Sequence, residues 1–133
     1  MYEENVALVR RYYQVTCSDL VGIEEIVTPD FVDHHFPDNL PPGPECVRAF
    51  FTDVLGAFTD RCIEIDEVFA NEDRVTCRFV LVAKHTADFA GFAATGKTIK
   101  CGAISIFRVE NGRLAEGWEV ADLFGLFQQL GQQ

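Results

Sequence analysis

The spacing of apolar residues changes after Thr59, and this change constrains the fold more than any other feature of the sequence. Before it, Val6, Val9 and Tyr13 recur at the three- and four-residue intervals of an amphipathic helix. After it, every second position is apolar, most clearly at Val75, Cys77, Phe79, Leu81 and Ala83. Helices followed by such strands predict an α+β domain with helices packed on one face of an antiparallel sheet.

Capping and helix-breaking residues predict the limits of the helices in the first half. Ser18 is a suitable N-cap for a short second helix that Pro29 ends. A loop rich in Pro and Asp follows over residues 30–43, and Pro44 begins a third helix whose apolar side continues through Phe58. The second half is predicted to hold strands at 62–69, 75–83, 99–109 and 114–120, turns at 71–73 and 111–112, and a short closing helix from Leu123.

A long, strongly twisted sheet wrapped around N-terminal helices makes a cone, and the mouth of a cone is a natural small-molecule pocket. The chain of 133 residues has the length of one domain, so we expect a single domain over residues 1–133. Phe accounts for twelve residues, against three Tyr and one Trp, which favours a cavity for a small apolar or aromatic ligand.

Charge and the absence of targeting signals exclude several classes of function. The formal net charge is −10, which repels nucleic acid and anionic membrane surfaces. No segment reaches the ~20 apolar residues of a membrane span. The acidic N-terminus lacks the basic and apolar regions of a secretory signal, and the five cysteines form no CxxC motif. We therefore expect a cytoplasmic protein with reduced, mostly buried cysteines.

Short segments along the chain resemble those of the SnoaL-like polyketide cyclases, within the nuclear transport factor 2-like superfamily. The resemblance runs from Asn5 to Gly131. Its segments are PDFVDH at 29–34, LPPG at 40–43, AFTD at 57–60, KHT at 84–86, TGK at 95–97, IFRV at 106–109, NGRL at 111–114, then Glu116, Trp118, Asp122 and QLG at 129–131. It implies a cone-shaped barrel whose curved, mostly antiparallel sheet wraps around the N-terminal helices.

The resemblance also implies a cofactor-free, metal-free intramolecular aldol cyclisation of a polyketide ester. In that reaction a carboxylate in the last strand removes a proton from an acidic methylene group. The family's catalytic Asp falls on Glu119, and its histidine partner falls on Ser105, which can donate a hydrogen bond but cannot carry a positive charge. Gly117 occupies a position where relatives often have His. The superfamily also holds dehydratases, isomerases, epoxide hydrolases and members without known chemistry, so the fold is better specified than the reaction.

Two carboxylates at the end of the last strand, Glu119 and Asp122, are candidate catalytic groups. Two carboxylates sharing an apolar pocket would raise one pKa and supply a base near neutral pH. The alternative is that Asp122 is the N-cap of the closing helix and Glu119 faces solvent. Residues three apart lie on opposite faces of a regular strand, so both can point inward only if the strand is bulged.

The histidines are candidates for hydrogen-bond donors to an enolate. His34 and His35 are adjacent in an extended segment, so at most one faces the pocket. His34 matches the family segment and is the predicted catalytic residue, whereas His35 is expected to bond a backbone carbonyl and fix the loop. His85 is expected to fix the connection between the second and third predicted strands. No spacing of ligands supports a metal site built from the three, so we expect none.

Further residues are predicted to bind substrate. A Tyr12 phenol can donate a hydrogen bond to an oxyanion, and Trp118 is either a core residue or a wall on which a flat substrate stacks. The predicted substrate-binding residues are Tyr12, Ser105, Trp118, Phe31, Phe51 and Phe107.

Three functions are consistent with these residues. The first is an enzyme catalysing cofactor-free proton transfer, by cyclisation, isomerisation or dehydration, on a polyketide-like apolar substrate, with Glu119 as base. The second is a non-catalytic binding or accessory module of the same fold. The third is an epoxide hydrolase, which needs a cation that Arg78 or Arg108 could supply from a strand. The second apolar strand face at Val80 and Val82 predicts a homodimer.

Overall fold

The protein is described by a computed structural model that covers residues 2–131, and its elements follow the predicted order of helices and then strands. The helical part comprises α1 (Tyr2–Thr16), α2 (Ile23–Ile26), strand β1 (Val27–Asp33), α3 (Pro44–Ala49) and a π-helix (Phe50–Val54). The sheet part comprises β2 (Phe58–Asn71), β3 (Arg74–His85), β4 (Thr98–Glu110), β5 (Arg113–Ala121) and the closing helix α4 (Leu123–Gly131).

The five strands form one curved sheet in the order β1-β5-β4-β3-β2. Strands β2 to β5 are antiparallel neighbours, as the period-2 pattern predicts, and β1 joins the edge of the sheet parallel to β5. This confirms the predicted α+β class and the mostly antiparallel sheet that wraps around the N-terminal helices.

Three predictions about the first half were wrong. The predicted loop at 30–43 contains most of β1, and Pro29 lies within that strand rather than ending a helix. Proline is tolerated there because an edge strand has unpaired N–H positions. Ser18 does not cap α2, whose N-cap is Gly22. The Ser18 hydroxyl instead donates to two carbonyls in the last turn of α1. The third helix ends in a π-turn at Val54, so Phe58 begins β2.

Alternation along the strands separates an inner face from an outer face. On β4 the odd-numbered residues from Ile99 to Phe107 are buried, whereas Lys100, Ile104 and Ile106 are exposed. Helix α1 packs on the inner face against β2, and the main core forms between the helices and strands β1, β3, β4 and β5. The fully buried side chains of this core include Val9, Tyr12, Phe31, Phe107 and Leu114.

The cysteines are unpaired, and three of them, Cys46, Cys77 and Cys101, are buried. Cys62 is exposed, because it lies on the outer face of β2. Over residues 2–131, no helix is both long and apolar enough to cross a membrane.

Candidate functional site

A cavity of about 530 Å³ lies between the inner face of the sheet and the helices. Its walls come from α1, the loop after β1, the π-helix, the sheet and the start of α4, and most of its lining side chains are apolar. The polar and charged lining residues are Tyr12, Tyr13, Cys17, Asp33, His35, Asp38, Arg61, Cys101 and Glu119.

Strands β1 and β5 bring three titratable groups together on one side of this cavity. Asp33 pairs with Gly117 across the parallel ladder, and Glu119 lies one inward-facing position further along β5. Alternation along β1 directs Phe31, Asp33 and His35 inward, while Val32 and His34 face outward. The neighbouring strands therefore aim a carboxylate, an imidazole and a second carboxylate into the same space.

His35 lies between the two carboxylates. Its Nδ1 is 2.5 Å from Oδ1 of Asp33, and its Nε2 is 3.3 Å from Oε2 of Glu119. The Asp33 carboxylate accepts the Nδ1–H bond, which leaves Nε2 to share a proton with Glu119. Asp33 is also fixed by its loop, because its Oδ1 accepts a bond from the backbone N–H of His35. The side chains of His35 and Glu119 are 22% and 18% exposed, so both groups are largely buried.

Burial and neighbouring charges shift the pKa values of this cluster. Desolvation raises the pKa of Glu119 to about 7, because the apolar surroundings disfavour its charge and Asp33 repels it, and the nearby His35 only partly opposes this. Burial lowers the pKa of His35, but its bond to Asp33 and the charges of Glu119 and Asp33 outweigh burial, so the net shift is upward. Glu119 is thus a carboxyl group that can both take and hold a proton near neutral pH.

Gly117 makes room for Asp33. A Cβ atom at position 117 would lie 2.8 Å from Oδ2 of Asp33 and 3.1 Å from the Phe107 ring, closer than ordinary contacts. The buried Asp33 side chain therefore occupies the space that any other residue at position 117 would fill.

Two tyrosines of α1 face Glu119 across the cavity. The Tyr13 hydroxyl is 2.7 Å from Oγ of Ser105, whose strand position lies directly opposite Glu119. The Tyr12 hydroxyl forms no hydrogen bond with another described residue. Burial and the nearby carboxylates raise the pKa of both phenols well above 10, so each keeps its proton at neutral pH.

The structure places some predicted site residues in the cavity wall and not others. Glu119, Tyr12, Phe51 and Phe107 line it. Ser105 lies on the inner face but is buried beneath Tyr13, and Phe31 is a fully buried core residue, so neither belongs to the wall.

Three predicted residues lie outside this cavity, which corrects the sequence-based assignment. His34 is on the outer face, stacked on Trp118 at 5.3 Å between ring centroids and bonded to Glu116. Trp118 points outward because it alternates with the inward Gly117 and Glu119. Asp122 is the N-cap of α4, since its Oδ1 accepts the backbone N–H of Gly125 and its carbonyl accepts that of Leu126.

The proposed cations of the epoxide hydrolase hypothesis also lie on the outer face. Arg78 pairs with Asp66 and Glu67, and Arg108 pairs with Glu116. Neither lines the cavity. The one Lys or Arg among the described lining residues is Arg61, which the sequence did not single out.

Asp33 and His35 line the cavity, although the sequence did not predict either as a site residue. His35 was expected to bond a backbone carbonyl, but its partners are two carboxylates. Asp33 and His35 follow Phe31 at two and four positions and share its face, but the apolar Val32 beside Phe31 gives the opposite face an equal claim in the sequence. The Pro and Asp residues of the segment are typical of a loop, in which alternation is not expected.

His85 has the structural role expected of it. It is fully buried, and its Nδ1 accepts a bond from the backbone N–H of Thr95 in the β3–β4 connection. Within residues 2–131, no group of three or more His, Cys, Asp or Glu is arranged to hold a metal ion.

Comparison with known families and structures agrees with this fold. The sequence pattern of the SnoaL-like polyketide cyclases matches residues 6–130. Aklanonic acid methyl ester cyclase DnrD of Streptomyces peucetius is 28% identical over 91 residues, which is 68% of this chain and 63% of DnrD. The chain thus matches somewhat less than two thirds of that relative's length.

Solved structures are similar over almost the whole chain. IdmH of Streptomyces antibioticus has a TM-score of 0.83 at 26% identity, covering 96% of this chain and 99% of IdmH. TsrD of Streptomyces laurentii has a TM-score of 0.84 at 23% identity, covering 94% of this chain and 92% of TsrD, and at that identity supports the fold alone.

Proposed function

Because the chain belongs to the SnoaL-like polyketide cyclase family, we propose that it is an enzyme that transfers protons on a polyketide-like apolar substrate, with Glu119 as the general base. The reaction that fits best is an intramolecular aldol cyclisation without a cofactor. Isomerisation or dehydration would use the same first step. The relative DnrD carries the name of a cyclase, which supports this class of reaction.

The observation that carries the proposal is the position of Glu119 in an apolar cavity beside His35. A carboxylate with a pKa of about 7 is a stronger base than an ordinary one and is still ionised in a large fraction of molecules at neutral pH. A positioned general base contributes about 10²–10⁴-fold to the rate of proton transfer.

In the proposed cyclisation Glu119 removes a proton from an activated methylene of the substrate. The resulting enolate carbon attacks a ketone carbonyl in the same molecule, forming a C–C bond, and the carbonyl oxygen becomes an alkoxide. The proton held between Glu119 and His35 then returns to that alkoxide. The step is an isomerisation, so atoms and charge balance without a co-reactant.

The neighbouring residues support this proton cycle in the proposal. His35 stabilises the ionised form of Glu119, since the Asp33 bond fixes its ring and keeps Nδ1 protonated. The hydroxyl of Tyr12 is available to donate a hydrogen bond to the enolate oxygen, because no described residue occupies it. The phenyl rings of Phe51 and Phe107 provide the apolar walls.

The test is the exchange of an activated methylene proton for deuterium, followed by NMR with 2-tetralone as an aromatic surrogate substrate. We expect the wild-type protein to accelerate exchange and Glu119→Gln to reduce the acceleration by about 10²–10⁴-fold, because the amide cannot accept the proton. Glu116→Gln is the matched control: it lies on the same strand but faces outward, so exchange should continue at the wild-type rate.

A second outcome would favour the binding-module hypothesis. If wild-type and Glu119→Gln proteins bind 2-tetralone equally and neither accelerates exchange, the cavity holds ligands without proton transfer. The apolar cavity fits that hypothesis as well, so binding is measured beside exchange in every variant.

We also propose that the protein is a homodimer formed through the outer face of the sheet. Phe69, Ile104 and Val120 expose 57%, 48% and 79% of their surfaces on that face. Exposed apolar patches of this kind mark interaction surfaces, and a C2 interface joins the same patch on two copies of a chain.

A further inference from the structure

Arg61 is a cation in the wall of an otherwise apolar cavity. It is the one Lys or Arg among the described lining residues, and it lies on the wall formed with Leu55, Phe58 and Phe51. Its guanidinium carbon is 5.6 Å from the centre of the Phe51 ring, a cation–π distance. The proposed proton-transfer cycle of Glu119 gives this arginine no role.

A bulge at the start of β2 directs Arg61 inward. Thr59 pairs with Lys84 and Cys62 pairs with Val82, so three steps on β2 match two on β3. The extra residue is accommodated at Asp60, whose φ of 53° lies in the left-handed region. Without the bulge, Phe58 and Arg61 would face opposite sides of the sheet. Both therefore line the cavity only because the strand departs from regular pairing.

The partners of Arg61 leave its charge uncompensated. Its Nη1 donates to the carbonyls of Leu55 and Phe58 at 3.3 and 3.0 Å, and its Nη2 donates to the carbonyl of Thr16 at 3.0 Å. No carboxylate of the described residues pairs with it, and its buried Nε has no partner. A guanidinium has five N–H donors, and three of them are used by these carbonyls. Because Nε is buried, the second Nη2–H is the donor left for a ligand.

We infer that Arg61 binds a carboxylate of the substrate, so that the preferred ligands are apolar aromatic molecules bearing a carboxylate rather than their neutral esters. The three carbonyls hold the guanidinium in place, and the charge it retains in a low-dielectric wall favours an anion. This inference rests on the proposed function only in taking the cavity as the substrate site. It adds the class of substrate.

The test compares 2-naphthoate with its methyl ester, two probes of one shape that differ in charge. Binding to the wild-type protein and to variants is measured by calorimetry. We expect wild type to bind 2-naphthoate roughly tenfold or more tightly than the ester. The net charge of −10 repels anions, so a preference for the carboxylate requires a local cation.

Arg61→Met removes the charge and keeps the length of the side chain. It is expected to weaken 2-naphthoate binding roughly tenfold or more and to change ester binding by less than about threefold. Arg61→Lys should retain part of the preference. Arg78→Met is the matched control, since it makes the same change of charge on the outer face and should bind both probes as wild type does.

Two results would overturn the inference: equal binding of the two probes by wild type, or an unchanged preference for 2-naphthoate in a folded Arg61→Met protein. Either would show that Arg61 only connects α1 to β2 through its hydrogen bonds. If Arg61→Met does not fold, NMR of the wild-type protein decides. The Arg61 Nε–H resonance should shift with 2-naphthoate and not with the ester; no shift refutes the inference. Loss of deuterium exchange in Glu119→Gln is a separate readout, so the two proposals fail independently.

Discussion

At the scale of single residues, the shared proton of the Glu119–His35–Asp33 cluster is the feature with the widest consequences. Glu119 retains its proton in the folded protein to higher pH than in the unfolded chain, because burial raises its pKa from about 4.5 to about 7. His35 also has a raised pKa when folded. In both cases the folded state binds protons more strongly than the unfolded state. The free energy of unfolding is therefore expected to fall as the pH rises from about 4.5 to about 7.

Replacing Glu119 with Gln should flatten this dependence. Between pH 4.5 and 7 the unfolded wild-type chain has released the Glu119 proton, while the folded protein still holds it. The free energy of unfolding of the wild-type protein therefore declines by about 3 kcal/mol as the pH rises through this range. Glu119→Gln has no such proton to lose and should be the more stable protein at pH 8. Urea denaturation at pH 5 and pH 8 measures the difference.

Glu116→Gln is the control for this experiment as well. Hydrogen bonds with His34 and Arg108 lower the pKa of Glu116, so its removal should leave the decline above pH 5 in place. Equal slopes for wild type and Glu119→Gln between pH 5 and pH 8 would show that Glu119 is not buried as the structure describes.

At the scale of elements, strand β1 is the part of the site that the sequence predicts least well. The four antiparallel strands were predictable because their alternation is long and regular, and the apolar positions of α1 follow a helical period. The β1 segment contains Pro29 and polar residues, which are typical of loops, and it is a strand only because β5 supplies parallel partners distant in sequence. The sequence therefore favours His34 over His35, whereas in the structure His35 and Glu119 line the cavity.

Gly43 holds the loop after β1 against that strand. Replacing Gly43 therefore tests how much the packing of this loop on β1 contributes to stability. Its N–H donates to the Phe31 carbonyl at 2.8 Å, and a Cβ at position 43 would lie within 2.3 Å of the Pro29 carbonyl oxygen. Its φ of 82° adds strain for any other residue. We expect Gly43→Ala to lower the free energy of unfolding by about 2 kcal/mol or more, measured in urea.

Gly91→Ala measures the cost of a positive φ where no close contact is present. Gly91 has a similar φ of 85°, but no atom lies within 4 Å of its would-be Cβ. The free energy of unfolding of Gly91→Ala should fall by about 1 kcal/mol, because of the backbone conformation alone. If Gly43→Ala is no less stable than Gly91→Ala, the close approach to β1 contributes nothing.

At the scale of the whole molecule, the two faces of the sheet have different surroundings. The inner face is covered by α1 and α4, whereas the outer face carries exposed Phe69, Ile104 and Val120 together with the stacked pair of His34 and Trp118. Residues predicted for the substrate site therefore lie on a surface suited to another protein chain. Their aromatic and apolar character agrees with contact residues of an interface.

Val120→Glu tests the proposed dimer. It places a charge at the most exposed apolar residue of the outer face, so two copies would bring like charges together, and we expect monomers in light scattering coupled to size-exclusion chromatography. Val21→Glu, at a similarly exposed position between α1 and α2, should leave the dimer unchanged. A wild-type monomer, or a Val120→Glu dimer, would contradict the proposal.

The missing side chain at Gly117 also limits how the cavity can be altered. Asp33 fills the space that a Cβ at position 117 would need, so the residue tolerated at one of these two paired positions depends on the residue at the other. A larger residue introduced at position 117 alone would displace the carboxylate that orients His35. Attempts to graft another family member's reaction onto this scaffold must therefore exchange positions 33 and 117 together.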